Sequence, residues 1–158
     1  MTSLMFHAVL GLLTIVLFFY YNGYLYRSGW KGSGVSWVEA LYYVIAVCAL
    51  ATGWYFNIHY MQDYAAQAGW VHFTKMLFTN AAAGSVSQDL IFANVLLLPL
   101  WTIIDGRRRG LRIPWIFFVM SLFTSLAFSM AFYLAFVERQ IRYSASPATE
   151  QVAAPASA

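Results

Sequence analysis

Charged residues and cysteines are scarce in this sequence, and their scarcity excludes several classes of protein. Only 9% of the 158 residues are charged, while 61% are hydrophobic and 19% are aromatic. Soluble domains carry about a quarter of their residues as Asp, Glu, Lys or Arg, so this chain cannot build an ordinary water-exposed surface. The single cysteine, Cys48, excludes an intrachain disulfide and a metal site built from several cysteines.

Sequence motifs of common enzymes are also missing. The chain has no internal repeat, no glycine-rich phosphate loop, no paired cysteines and no nucleophile elbow. Its net charge of +3 comes largely from a short run of arginines beside an apolar stretch, so nucleic-acid binding is not expected. The remaining information lies in long apolar runs and in the few polar residues inside them.

Four apolar runs account for most of the chain. They cover about residues 4–26, 37–58, 86–104 and 113–137. Each is near the ~20 residues that cross ~30 Å of hydrocarbon. The sequence therefore predicts an all-α integral membrane bundle of four transmembrane helices, forming one domain over residues 1–143. From Ser144 the chain is mostly Ala, Ser and Pro, so a disordered tail is predicted over residues 144–158.

The segment between the second and third runs has its own pattern. Large apolar residues recur at i, i+3, i+7 and i+8, which is the spacing of a short amphipathic helix. They are Trp70, Phe73, Leu77 and Phe78. We expect this helix to lie flat in the membrane interface. The sequence leaves open the alternative that its apolar face covers the bundle and closes a cavity.

Lysine and arginine positions set the predicted orientation, because cytoplasmic loops hold the excess of positive charge. The loops over residues 27–36 and 105–112 carry six of these residues and share one side of a four-span bundle. The other side carries three, namely Lys75, Arg139 and Arg142. Both termini are therefore predicted to face outward.

Small residues recur at four-residue intervals in two of the runs. Ala49, Gly53 and Asn57 form one such stripe, and Ser121, Ser125 and Ser129 form another. Small residues at this spacing let helices approach closely, while hydroxyls and amides bond across the contact. The alternative is that the stripes line a groove that faces lipid.

The histidines and three of the six acids fall near the outer boundary of this four-span arrangement. They are His7, His59, His72, Asp63, Asp89 and Glu138. Imidazole and carboxylate groups are usual metal ligands, and two histidines on neighbouring helices can clamp a haem iron, so His7 and His59 are candidate metal ligands. Spans also keep ionisable residues at their ends, and no pair has a metal-ligand spacing. No cofactor is therefore predicted, and haem, a metal or a pigment stays open as an alternative.

Asp89 is the candidate catalytic acid, with Asn57 or His59 as its partner. The interpretation that we favour places Asp89 in the first turn of the third helix, where the helix dipole stabilises a negative charge. Asn94 lies five residues before Pro99, and a kinked polar point in mid-membrane can mark a pocket. The predicted binding residues are Asn57, His59, Asp89 and Asn94.

Short motifs punctuate the chain from about Ala51 to Arg139. They are Phe78-Thr79-Asn80, Asp89-Leu90, Asp105-Gly106-Arg107-Arg108, and Ser125-Leu126-Ala127-Phe128 through Glu138-Arg139. In these motifs the chain resembles an uncharacterised bacterial membrane family, the domain of unknown function 2834. It departs from the family at Ala81 and Ala131, where Pro is expected, and at Ser125, where Gly is expected. The resemblance implies a bacterial inner-membrane protein with one helix added to a three-helix core, and it supplies no activity or cofactor.

These features favour a non-enzymatic membrane protein that is either an accessory subunit of a larger assembly or a binder of an apolar lipid, pigment or quinone. Two alternatives stay open. One is a membrane-embedded enzyme that acts on an isoprenoid or lipid with Asp89 as acid, and the other is a haem or metal protein that uses His7 and His59. The expected partners are membrane lipids and other membrane subunits. With the basic loops inside, both termini are predicted to be periplasmic.

Overall fold

Helices make up nearly all of the described chain. A computed structural model of the protein describes residues 2–26 and 34–145, and every regular element in these two ranges is helical, as predicted. The helices are α1 (Thr2–Asn22), α2 (Trp37–Tyr64), α3 (Trp70–Met76), α4 (Ala81–Phe92), α5 (Leu98–Arg108), α6 (Ile116–Phe123) and α7 (Leu126–Ser144). Short 3-10 turns at Gly23–Tyr26 and Ala65–Gln67 follow α1 and α2. Most of the predicted tail, residues 146–158, lies outside the described residues.

Three continuous helical stretches are long and apolar enough to cross a membrane. They run over Leu4–Tyr26, Trp37–Gln67 and Ala81–Arg108 and contain 23, 31 and 28 residues. At ~1.5 Å of rise per residue, each exceeds ~30 Å of hydrocarbon. The third stretch begins before the predicted residue 86 because the side chain of Asn80 accepts a hydrogen bond from the N–H of Ala83 and caps the helix there.

A π-turn interrupts the third stretch at the place where the sequence predicts a kink. The N–H of Leu98 bonds to the carbonyl of Ala93, at the two ends of the turn Ala93–Leu97 that joins α4 to α5. Pro99 follows in the first turn of α5. A proline cannot donate the N–H that a continuous α-helix needs at this position, and the wider turn absorbs the missing bond.

The fourth apolar run is not one helix, and the prediction of a continuous span over 113–137 is wrong. Thr124 and Ser125 separate α6 from α7. The backbone of Ser125 is extended, and its hydroxyl accepts a hydrogen bond from the N–H of Phe128, which caps a new helix. Thr124 lies outside the helical region, with φ −120° and ψ −92°. Ser125 thus caps a helix instead of packing in the predicted serine stripe, while Ser121 and Ser129 are buried as that stripe predicted.

Helices α6 and α7 fold back on each other as a hairpin whose tip is Thr124 and Ser125. The rings of Phe117 in α6 and Tyr133 in α7 have centres 5.0 Å apart. The hydroxyl of Ser129 donates a hydrogen bond to the carbonyl of Phe117 and ties the two arms together. The chain therefore leaves the hairpin at the same end of the molecule at which it entered.

This hairpin, and not the membrane-length helices, forms the core of the molecule. The side chains of Phe117, Met120, Tyr133 and Phe136 on its two arms are fully buried. Phe18 of α1 packs against both arms, with its ring centre 4.8 Å from that of Phe117 and 4.2 Å from that of Phe136. Around the hairpin, α1 packs chiefly on α6 and α2 chiefly on α7, while many large apolar side chains of α1, α2 and α4 face outward.

Two glycines allow neighbouring segments to approach closely at the hairpin. A Cβ atom on Gly11 would lie 3.0 Å from Cγ2 of Thr124, and one on Gly106 would lie 2.7 Å from Cβ of Pro114. The first contact joins α1 to the hairpin tip. The second joins α5 to the segment that leads into α6, so a side chain at Gly106 would push these segments apart.

The hairpin brings the end of α7 beside the end of α1. The side-chain amide of Asn22 donates to the carbonyl of Arg112 over 2.9 Å, and its oxygen accepts from the N–H of Arg112 over 2.8 Å. The hydroxyl of Tyr24 donates to Oε1 of Gln140 over 3.3 Å. We call this the basic end, because it holds Arg107, Arg108, Arg109, Arg112, Arg139 and Arg142. The opposite end, where α1 begins and α2 finishes, holds His7, His59 and His72 and is called the histidine end.

The start of α1 and the end of α7 consequently lie at opposite ends of the bundle. This differs from the four-span arrangement, in which both termini share one side, because the break at Thr124 and Ser125 turns the chain back. Glu138 also leaves the cluster that was predicted at the histidine end. Its carboxylate accepts a hydrogen bond from the hydroxyl of Ser36 over 2.9 Å, at the basic end.

Candidate functional site

The histidine end contains a cavity of about 340 Å³. Its walls are formed by α1, α2, α3 and the tip of the α6–α7 hairpin. The lining residues are Leu4, His7, Gly53, Asn57, Tyr60, Met61, Gly69, Trp70, Phe73, Leu122, Phe123, Thr124 and Ser125. Thr124 lies against Gly11, which is about two helical turns along α1 from Leu4. The floor of the cavity is therefore well inside the bundle.

Apolar side chains form most of the cavity wall, and a glycine widens it. The apolar lining comes from all four walls and includes Leu4, Met61, Phe73 and Leu122. A Cβ atom added to Gly53 would have no neighbouring atom within 4 Å, so the space beside this part of α2 is open. The stripe of small residues on α2 thus contributes to a cavity at Gly53 and Asn57, as in the groove alternative that the sequence left open.

Helix α3 covers the cavity from the histidine end. Trp70 and Phe73 line the cavity, which is the lid arrangement that the sequence left open. The indole N–H of Trp70 donates to Nε2 of His7 over 3.1 Å and ties α3 to α1. The position of α3 at a membrane interface stays a prediction.

A tyrosine ties α3 to α2. The hydroxyl of Tyr60 lies 3.0 Å from Nδ1 of His72. The same hydroxyl donates to the carbonyl of Gly69 over 3.2 Å and accepts from the N–H of Gly69 over 3.2 Å. The lid is therefore anchored at its first residues to both neighbouring membrane-length helices.

The bond between His7 and Trp70 fixes the tautomer of His7. An indole N–H can only donate, so Nε2 of His7 must accept and the ring carries its proton on Nδ1. The Nε2 lone pair is engaged by this hydrogen bond. It cannot bind a metal ion while the lid is closed.

The floor of the cavity is irregular backbone at the hairpin tip. In a membrane, non-helical backbone is tolerated only where it is buried in protein or lines a cavity. The hydroxyl of Thr124 donates to the carbonyl of Met120 over 2.7 Å. The oxygen of the Ser125 hydroxyl accepts from the N–H of Phe128 over 3.1 Å, but its proton has no acceptor among residues 2–26 and 34–145.

Asn57 is a second polar group in the wall that is left without a partner. Its side chain is partly buried and lines the cavity. The carboxamide makes no hydrogen bond with any residue in the described part of the chain. An amide in apolar surroundings costs free energy unless something pairs with it. The cavity therefore presents two unpaired polar groups, from Asn57 and Ser125, in a largely apolar wall.

Two of the other predicted site residues lie away from the cavity lining. His59 is exposed on α2, and its ring packs on Tyr55 of the same helix with the ring centres 4.5 Å apart. Asn94 lies in the π-turn, and its Oδ1 atom is buried without a hydrogen-bond partner in the described ranges. His7 and His59 are thus not brought together as ligands. Within residues 2–26 and 34–145, no group of three His, Cys, Asp or Glu side chains is placed to hold a metal ion.

Asp89 does not line the cavity either. Its exposed carboxylate accepts a hydrogen bond from the side-chain amide of Gln88 over 2.5 Å. The prediction that Asp89 lies in the first turn of its helix is wrong, because α4 begins at Ala81. Asp89 therefore lies about two turns inside the helix, where the helix dipole gives little stabilisation.

An ion cluster at the basic end is the feature that sequence reasoning missed. The buried carboxylate of Glu39 accepts from Nε of Arg139 over 2.7 Å and also pairs with Arg142. The guanidinium of Arg139 lies 4.3 Å from the centre of the Tyr26 ring. In the predicted arrangement of four continuous spans, Glu39 and Arg139 lie on opposite sides of the membrane. The α6–α7 hairpin turns the chain back and brings them together. The available signal was the i, i+3 spacing of the two arginines, which places both on one helix face.

Comparison with known proteins gives a family and no activity. A family model described as "Protein of unknown function DUF2834" matches residues 41–139. The match covers most of α2, the lid α3 and the hairpin tip, and it leaves α1 outside. No curated protein and no solved structure matches the chain. The resemblance that rests on the short motifs is confirmed, and this chain belongs to the family of proteins of unknown function DUF2834.

Proposed function

We propose that this protein is a non-enzymatic integral membrane protein that binds an apolar molecule of the bilayer, such as a lipid, a pigment or a quinone. The cavity at the histidine end carries the proposal, with a volume of about 340 Å³ and a lining that is mainly apolar and aromatic. Small-molecule sites have this character, with a few polar groups that orient the ligand and volumes of about 300–1,000 Å³.

The arrangement of the helices supports entry of the ligand from the bilayer. Helix α1 packs chiefly on α6 and α2 chiefly on α7, so the cavity lies between α1 and α2 above the hairpin tip. The outward faces of both helices carry exposed apolar side chains, as a surface in contact with lipid requires. A ligand dissolved in the membrane can then reach the cavity without crossing water.

The other functions that the sequence left open have less support. An enzyme with Asp89 as acid would need that carboxylate in the cavity, and it is exposed on α4. A haem or metal protein would need His7 and His59 together, and His59 lies outside the cavity lining. A role as accessory subunit rests on the exposed apolar faces alone, whereas the binding function rests on a formed cavity.

We propose that the protein lies in a bacterial inner membrane, with its basic end on the cytoplasmic side. In the described ranges, six arginines lie at the basic end and one basic residue, Lys75, lies at the histidine end. This asymmetry is larger than that of four continuous spans and fits the excess of positive charge on the cytoplasmic side. The start of α1 is then periplasmic, while the end of α7 is cytoplasmic.

Cysteine labelling tests this orientation. In a Cys48→Ala background, Ala66→Cys reports on the histidine end and Ala145→Cys on the end of α7, and both positions are exposed. A membrane-impermeant maleimide should label Ala66→Cys in intact cells and Ala145→Cys only after lysis. The reverse pattern would overturn the orientation, and labelling of both from outside would overturn the placement of the hairpin.

Filling the cavity tests the binding function. The full chain is purified in mild detergent, and co-purifying lipids, quinones and pigments are extracted and quantified by mass spectrometry. Gly53→Leu places a side chain in the open space beside α2, and we expect it to lose the bound molecule. The matched control is Ala51→Leu, which adds the same side chain to an exposed position of α2. Equal amounts of bound molecule in both variants would refute the proposal.

A further inference from the structure

Some polar groups in the cavity wall already make hydrogen bonds within the protein, and others do not. Trp70, Tyr60 and Thr124 are engaged in hydrogen bonds within the protein. The carboxamide of Asn57 and the hydroxyl proton of Ser125 have no partner among the described residues. In the cavity wall, these two groups are therefore left without a partner among residues 2–26 and 34–145.

Both unpaired groups can donate a hydrogen bond. The oxygen of Ser125 already accepts from the N–H of Phe128, so what the hydroxyl still offers is its proton. The Asn57 amide offers two N–H donors and one carbonyl acceptor. The cavity thus has an excess of donors, and a matching ligand supplies an acceptor.

Both donors line the same cavity, and they come from different elements. Asn57 lies on α2, and Ser125 lies at the hairpin tip that forms the floor. A ligand that fills the cavity therefore meets both groups, while Gly53, one turn from Asn57 on α2, leaves room for an apolar body.

From this juxtaposition we infer that the molecule bound in the cavity is a membrane-soluble compound with a carbonyl head group, whose oxygen accepts hydrogen bonds from Asn57 and Ser125. The inference rests on the proposed binding function and names its substrate class. A carbonyl supplies an acceptor without adding a donor that the apolar wall would leave unpaired. Prenylated or alkylated quinones and fatty-acyl esters share this chemistry, and a plain hydrocarbon lacks it.

Three probes of similar size separate these classes. They are a decyl-1,4-benzoquinone, decylbenzene, which keeps the ring and chain but lacks carbonyls, and methyl undecanoate, which keeps a carbonyl but lacks the ring. Each is titrated into the full chain in lipid nanodiscs, with tryptophan fluorescence as the signal. The same titration is repeated with Gly53→Leu, whose filled cavity leaves only the signal from probe that partitions into the bilayer. Binding is the saturable part of the fluorescence signal that remains after the Gly53→Leu signal is subtracted.

We expect the quinone and the ester to bind about tenfold more tightly than decylbenzene, which corresponds to ~1.4 kcal/mol. Asn57→Leu should abolish this preference and keep the binding of decylbenzene, because the isosteric side chain removes only the polar group. Thr52→Leu, at an exposed position of the same helix, should change neither affinity. Tighter binding of the quinone identifies a ring head and tighter binding of the ester an acyl head, and either result supports the inference.

Two results would count against it, and they are distinguishable. If decylbenzene binds as tightly as the carbonyl compounds, or if Asn57→Leu keeps their preference, the carbonyl inference is wrong and the apolar cavity stands. If none of the three probes shows saturable binding above the Gly53→Leu background, both the inference and the proposed binding function are overturned.

Discussion

The two ends of the bundle use polar side chains in opposite ways. At the basic end, buried charges are paired, since Glu39 binds both Arg139 and Arg142. At the histidine end, polar groups border a cavity, and two of them have no partner in the described chain. A buried ion cluster with its charges paired favours one arrangement of helices, whereas the polar groups without a partner in the cavity wall leave hydrogen-bonding capacity for a ligand.

Packing also differs between two glycines, one at the basic end and one in the cavity wall. At the basic end, Gly106 lies so close to Pro114 that a Cβ atom would clash at 2.7 Å, whereas Gly53 at the histidine end faces open space. The hairpin is anchored where it enters and leaves the bundle, and its tip borders the cavity. We therefore expect stability to depend on the basic end and ligand binding on the histidine end.

The largest expected effect comes from breaking the ion cluster. Glu39→Gln keeps the shape of the side chain and removes its charge, which leaves Arg139 and Arg142 without a buried counter-ion. We expect a loss of about 3–5 kcal/mol in the free energy of unfolding in mild detergent. The control is Glu138→Gln, whose carboxylate is 27% exposed and should cost less than about 1 kcal/mol. Equal losses in the two variants would contradict a structural role of the buried pair.

A matched pair of glycine substitutions measures the difference in packing. Gly106→Ala should destabilise the protein by about 1–3 kcal/mol, because its Cβ atom overlaps Pro114. Gly53→Ala should stabilise it by up to about 1 kcal/mol, because alanine is the better helix former and its methyl group meets nothing. Thermal unfolding of both variants in the same detergent checks the prediction. Changes of the same sign would show that the two positions are packed alike.

The smallest expected effect concerns the lid. Trp70→Phe keeps a ring in the cavity wall and removes the indole N–H that donates to His7. We expect a local loss of about 1 kcal/mol, seen as about fivefold faster amide hydrogen exchange over residues 70–76 and unchanged exchange in α7. Trp101→Phe, at an exposed position of α5, is the control. Faster exchange at the basic end as well would show that the two ends are not independent.

Much of the fold followed from local patterns. Hydropathy located three membrane-length helices, the spacing of aromatics located α3, and Pro99 marked the π-turn. Part of the candidate cavity followed too, because Asn57 and His7 were singled out as polar residues in apolar runs and both line it. His59 and Asp89 lie outside the cavity lining because both are on exposed faces of their helices, and a hydropathy profile does not say which face turns inward.

The sequence by itself determined a helical, apolar, membrane-length chain, because composition and run length report how much surface must avoid water. Only the tertiary structure decided that the fourth run folds back, since the capping bond from Phe128 to Ser125 and the tight contact at Gly11 compete with helix continuation. That reversal brings Arg139 to Glu39 at one end and places the hairpin tip beneath the lid at the other. The cavity exists because of contacts between distant segments, which no local pattern contains.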